Sequence, residues 1–266
     1  MTRSALYVAG HRPDHLAKAD RSDADALVIE LEDGVPLAAK DDARRAAAAF
    51  LAVPHQHRME VRVNGFGTGL LLADLLALTG TGIDAVRVPK VDSPDDVVVV
   101  ARLLDELGSS AKVLPILESA RGLAAAREIA LAPRVGGLLM GEEDLGADLG
   151  GGPAALAHAR AALVLAARAA GLPAPLQSVW TDLGDPDGLR ADCVLGRELG
   201  FAGRSVIHPL QVAIVHDVYT PTEQEVSAAR ALLAHAGQGG SVLADGRFVD
   251  DASVARARRL VDAATR

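Results

Sequence analysis

Short apolar runs alternate with longer alanine-rich amphipathic runs along the chain. SALYV (4–8), DALVIEL (25–31), EVRVN (60–64), DAVRV (84–88), KVLPIL (112–117), GGLLM (136–140), PLQSV (175–179) and GRSVI (203–207) have the length and apolar content of buried strands. PLAAKDDARRAAAAFL, SPDDVVVVARLLDEL and PAALAHARAALVLAARAAG, which lie between them, carry the wider period of helices. Ser93-Pro94-Asp95-Asp96 supplies an N-cap, a first-turn proline and two acids where a helix N-terminus favours them. Strands alternating with helices form right-handed βαβ units and a parallel sheet. Eight such strands predict a closed (β/α)8 TIM barrel over residues 1–219. An open doubly wound sheet is the alternative, weakened because no GxGxxG follows the first strand. GADLGGGP (146–153) reads as a loop leading into a helix. Residues 220–266 form a C-terminal helical extension. It contains a helix over 222–236, the linker GQGGS (237–241), a hairpin-like LADGRFVD and a last helix.

Half of the 266 residues are hydrophobic, enough for a large core, but only 3% are aromatic and the net charge is −8. Base stacking and phosphate neutralisation want the opposite, so a nucleic-acid partner is not expected. No run of 18 apolar residues is free of charge, and the opening MTRSALYVAG is too weakly apolar for a secretory signal. A soluble cytoplasmic protein is expected. The single cysteine, Cys193, is expected in the core, and His55, His57, His158 and His235 at the surface.

In a parallel barrel the strand C-termini open on one face, where active sites form. On that face the pattern places Glu30, Glu32 and Asp33 (second strand), Arg62 and Asn64 (third), Lys90 (fourth), Glu118 (fifth), Glu142, Glu143 and Asp144 (sixth) and His208 (eighth). Glu118 and Asp144 follow neighbouring strands, so their carboxylates can converge on Mg2+, which takes few protein ligands and keeps several waters. The competing explanation is that the acids cap the following helices. Lys90 would then bridge Glu118 or Glu32, Arg62 would be a plain ion pair, and His208 a turn residue.

The segments RSALYVAGHRPDHLAKA (3–19), ALVIELEDGVPLAAKDDAR (26–44), VRVNGFGTG (61–69), VRVPKVDSPDDV (86–97), PILESARGL (115–123), LLMGEEDLGADLG (138–150), LGFAGRSVIHPLQV (199–212) and DGRFVD (245–250) carry a resemblance. In order and over nearly the whole chain, they resemble the citrate lyase beta-subunit-like (CitE-like) proteins of the HpcH/HpaI aldolase superfamily. The resemblance implies a TIM barrel, Mg2+, and cleavage or formation of a carbon–carbon bond beside a CoA thioester, with an oxoacid as the other product. It implies Glu118 and Asp144 as metal ligands, Arg62 and Glu118 at the substrate, and Glu32 and Asp33 near the metal waters, with Lys90 expected beside them from its strand end. It also implies Asp250 as a general acid/base that completes the site of a neighbouring subunit in a homo-oligomer, most simply a trimer. The chain departs from the family pattern at Glu30, where Asp is frequent, at Ser178, where an Asp is frequent, and at Arg204, where Lys is frequent. Other expectations remain open. One is a CoA-independent pyruvate-type aldolase with a histidine base near His11. The others are a component that binds an acyl carrier and a metal-dependent oxoacid or CoA-ester binding protein.

Overall fold

The computed structural model describes residues 2–235, 241–242 and 248–264. Its eight long-range strands are β1 (Ser4–Ala9), β2 (Ala26–Glu30), β3 (Arg58–Arg62), β4 (Ala85–Val88), β5 (Lys112–Leu117), β6 (Leu139–Met140), β7 (Leu176–Gln177) and β8 (Gly203–Val206). All pair in parallel, in the order β6-β5-β4-β3-β2-β1-β8-β7, so β8 returns to β1 and the sheet wraps into a nearly closed (β/α)8 barrel. The helices are α1 (Pro13–Ala19), α2 (Lys40–Leu51), α3 (Leu71–Ala77), α4 (Pro94–Glu106), α5 (Ala120–Ala124), α6 (Ala126–Ala130), α7 (Glu142–Leu149), α8 (Pro153–Ala169), α9 (Pro186–Leu199), α10 (Pro209–Tyr219), α11 (Glu223–His235) and α12 (Asp251–Ala264). Ser93 caps α4 in a reciprocal box with Asp96, as its sequence predicts.

Two apolar clusters follow from strand alternation. Residues facing the helices, such as Leu27, Ile29, Val61, Val86 and Val113, build the larger one. Inward residues build the smaller one and are largely small: Ala5, Ala26, Val28, Ala85 and Ala202 accompany Leu114, Ile116, Leu139 and Leu176. Small inward side chains leave lumen at the barrel ends.

β6 and β7 are two residues each, shorter than their apolar runs imply. Gly136 and Gly137 precede the first, and Pro175, which has no N–H to give a ladder, precedes the second. At this seam the Ser178 hydroxyl donates to the Met140 carbonyl and accepts the Glu142 N–H at 3.3 Å. A side chain thus joins two strands that no ladder joins.

Two expectations are corrected. Residues 146–149 are not loop: α7 begins at Glu142, where three first-turn acids favour a helix N-terminus, and ends at Gly150 in the left-handed region (φ 59°). His55 is not a surface residue. Its side chain is 4% exposed, stacks on Phe50 and bonds Asp20 and the Phe50 carbonyl. Cys193 is buried. In the C-terminal part α11 and α12 pack on each other, and β9 (Ser241–Val242) pairs antiparallel with β10 (Phe248–Val249). The expected linker at 237–241 lies, apart from residue 241, outside the described residues, as do the side chains of His235 and Phe248.

Candidate active site at the barrel mouth

A cavity of about 700 Å³ opens at the C-terminal ends of the strands, lined by Tyr7, Glu30, Asp33, Arg62, Glu118 and Asp144 among others. Register explains part of the grouping. Glu30 ends β2 directly opposite Arg62, which ends β3. The Arg62 Nε donates to Glu30 at 2.5 Å, its Nη1 lies 3.2 Å from Glu32, and its guanidinium stands 5.3 Å over the Tyr7 ring. Burial alone would lower the Arg62 pKa, but Glu30, Tyr7 and Glu32 raise it above the usual guanidinium range. Glu30 also accepts the Glu32 N–H at 2.5 Å, so one carboxylate fixes both the arginine and the following loop.

Glu118 stands just past β5 and is 7% exposed. Burial, and the nearby carboxylates of Glu32 and Asp144, push its pKa up to about 7 against the opposing pull of Lys90 and Arg62. Gly141 leaves room for it, since a Cβ there would lie 2.5 Å from Glu118 Oε1 and would displace this carboxylate. Asp144 is the third residue of α7, with a half-exposed side chain. Lys90 follows β4 in the left-handed region (φ 55°). Its N–H donates to Glu118 at 3.1 Å, and its Nζ lies 3.3 Å from Glu32, 3.8 Å from Asp33 and 3.9 Å from Asp144. The mouth therefore brings together Glu32, Asp33, Arg62, Lys90, Glu118 and Asp144. Among the described residues no three His, Cys, Asp or Glu side chains form a metal-holding cluster.

Asp250 is not brought to this mouth within the chain. It is exposed and caps α12, accepting the Ser253 N–H at 2.8 Å, which holds its carboxyl below the ordinary range. The far end of α12 points elsewhere: Arg259, Asp262 and Ala263 line a second cavity of about 510 Å³ with Arg58, Pro175 and Ala202, at the strands' N-terminal ends. His11 is absent from the mouth lining, and its Nδ1 is buried without a hydrogen bond. His208 caps α10 through its ring nitrogen, which accepts the Leu210 N–H.

Several residues that frame the mouth carry little sequence signal. The buried Lys40 ammonium donates to the Leu31 and Glu32 carbonyls and to Asn64, and Asp74 accepts from Asn64 at 2.7 Å. In the sequence Lys40 belongs to KDDARR, which reads as an ordinary solvated helix start. Arg87 is 1% exposed, bonds Glu60, Tyr7 and Ser205, and floors the cavity. Its position two residues after inward-facing Ala85 is the signal that could have found it. Glu142 is gripped by both arms of Arg160, which also binds Asp192, and Asp192 in turn pairs Arg204. This network anchors the first turn of α7, and so the backbone carrying Asp144. Trp180 lies over Arg204 at 5.7 Å, and its buried indole N–H has no partner.

Among the described residues no helix is long and apolar enough to cross a membrane. The family described as HpcH/HpaI aldolase/citrate lyase matches residues 3–209. The chain is 39% identical to a citrate lyase subunit beta-like protein of Deinococcus radiodurans over 98% of this chain and 96% of that one. It is 36% identical to a (3S)-malyl-CoA thioesterase of Cereibacter sphaeroides, over 97% and 92%. Protein CitE from Mycobacterium tuberculosis, solved in complex with magnesium, acetoacetate and coenzyme A, superposes with a TM-score of 0.85 at 32% identity, covering 100% of this chain and 98% of that one. A citrate lyase beta subunit from M. tuberculosis complexed with oxaloacetate and magnesium gives a TM-score of 0.73 at 34% identity, over 83% and 97%. The eight-stranded barrel, the charged mouth and these likenesses agree that the chain belongs to the HpcH/HpaI aldolase/citrate lyase family.

Proposed function

We propose that the protein is a Mg2+-dependent carbon–carbon lyase that cleaves or forms a 3-hydroxyacyl-CoA of the citryl-, malyl- or citramalyl-CoA type, with an oxoacid and an acyl-CoA on the other side. The observation that carries this reading is the meeting of a crowded carboxylate group with an anchored arginine at one barrel mouth.

The donor set suits a hard cation. Glu118 is raised by burial and by Glu32 and Asp144, and a cation would relieve that crowding. Glu32 Oε2 is buried with no hydrogen bond, although Arg62 stands at ion-pair distance. Glu118 and Asp144 would hold Mg2+, with water completing its shell. When bound, Mg2+ would supply Lewis-acid polarisation of the substrate oxygen that is a hydroxyl in one direction and a ketone in the other.

Arg62, steadied by Glu30 and Glu32, would bind the oxoacid carboxylate through paired N–H groups, a geometry Lys cannot copy. Asp250 of a neighbouring copy would move the proton at the carbon next to the thioester. A shared site is supported by its place outside its own mouth. A homo-oligomer, most simply a trimer, is part of this proposal, as is the division into a barrel (1–219) and an extension (220–266).

The likeness to a (3S)-malyl-CoA thioesterase favours a second reading, hydrolysis of the same esters at the thioester bond. A panel of (3S)-malyl-, citramalyl- and citryl-CoA, with chelator or with Mg2+, tests the proposal. Mg2+-dependent release of an oxoacid supports it, and free CoA thiol without an oxoacid supports the second reading.

A further inference from the structure

Lys90 contacts four of the mouth acids: Glu32, Asp33, Glu118 and Asp144. Its ammonium faces Glu32, Asp33 and Asp144, from the loop after β2 and from α7, while its N–H holds Glu118. The backbone reaches this arrangement through a φ of 55°. That region disfavours a residue with a side chain and persists where the surroundings impose it. Here the bond to Glu118 is part of what imposes it. Arg62 also pairs Glu32, but it is a largely buried fork fixed by Glu30. Lys90 is a point charge on a flexible stem with a side chain 54% exposed, so its ammonium can leave without unfolding anything.

We propose that Lys90 is a tethered counter-cation: its ammonium competes with a divalent ion for the mouth carboxylates and thereby sets how tightly that ion is held. The inference rests on the metal reading above. Docked on Glu32, Asp33 and Asp144, the ammonium offsets the mutual repulsion of the acids. A doubly charged ion on Glu118 and Asp144 would meet that ammonium at close range. Lys90 Nζ lies 3.9 Å from Asp144, and in a water-like dielectric keeping the ammonium there against a doubly charged ion would cost roughly a factor of ten in affinity; swinging into solvent trades that repulsion for the loss of its contacts with Glu32, Asp33 and Asp144. The position thus exchanges one cation for another over the same acids. That distinguishes it from an ordinary surface ion pair, which strengthens whatever it touches.

Calorimetric titration of Mg2+ into the wild type, Lys90→Met and Lys90→Arg tests the idea. Loss of the charge is expected to lower the Mg2+ dissociation constant by about tenfold, and Lys90→Arg to stay within about threefold of wild type. In chelator, Lys90→Met is expected to melt below wild type, with the gap closing at saturating Mg2+. A merely structural lysine would instead leave the gap open and weaken Mg2+ binding. Wild-type binding with equal or weaker affinity in Lys90→Met overturns this inference alone. No Mg2+ binding by the wild type overturns the metal reading and the inference with it.

Discussion

Glu118 is held at a thermodynamic disadvantage, and its removal is expected to make the protein more stable. Its carboxyl is 7% exposed and raised from an ordinary value near 4.5 to about 7 by burial, Glu32 and Asp144. A raised acid binds its proton more tightly in the folded than in the unfolded state. Stability from this group is therefore fully present below about pH 4.5 and is lost as the pH rises to 7. At 1.36 kcal/mol per tenfold change in proton affinity, the loss amounts to roughly 3 kcal/mol above pH 7. Glu118→Gln cannot ionise but keeps an oxygen for the Lys90 N–H. In chelator it is expected to unfold roughly 6 °C or more above wild type at pH 8, with a much smaller gap at pH 5. Scanning calorimetry at the two pH values measures both. With millimolar Mg2+ the order should narrow or reverse, because only the wild type gains binding free energy. Equal stability of the two proteins at pH 8 in chelator would refute the reasoning.

Arg62→Lys loses the paired N–H groups, so oxaloacetate, glyoxylate or pyruvate should bind at least about 30-fold more weakly. The lone Trp180, which lines the cavity, reports the binding by fluorescence, and unchanged affinity contradicts the assignment. Asp192→Ala strips the carboxylate shared by Arg160 and Arg204 and should cost about 3 kcal/mol in urea unfolding, whereas a loss under about 1 kcal/mol would mean the network is dispensable. Asp250→Asn and Glu118→Gln subunits should each be nearly inactive alone and recover part of the activity when mixed. No recovery, after subunit exchange is demonstrated independently, removes the shared site.

The barrel was legible because a parallel strand buried on both faces leaves a continuous apolar run whatever its neighbours do, and eight such runs alternate with amphipathic ones. Their ends were less legible. GGLLM and PLQSV became two-residue strands because glycine and proline thin the ladder there, and the seam is joined by Ser178, whose side chain periodicity cannot describe. The α7 boundary is hidden because three glycines after Leu149 make a helix-ending signal resemble a whole loop. The mouth acids, Arg62 and Lys90 were found because position after a strand is a sequence property. Lys40, Arg87 and the pairing of Glu142 with Arg160, Asp192 and Arg204 are not legible this way, since the partners lie on other elements. The burial of His55 is hidden for the same reason: its bond to Asp20, 35 residues away, is not a local feature, and its stack on Phe50 depends on the turn between them.

The central claim is that the mouth breaks a carbon–carbon bond with Mg2+ on Glu118 and Asp144 and the oxoacid on Arg62. Mass-spectrometric product analysis of (3S)-malyl-CoA turnover tests it most directly, with the wild type and Asp144→Asn each in chelator and in Mg2+. Equal amounts of glyoxylate and acetyl-CoA, formed by wild type only with Mg2+ and lost in Asp144→Asn, are predicted. Malate and free CoA without glyoxylate, or glyoxylate formed equally well in chelator, would contradict the account.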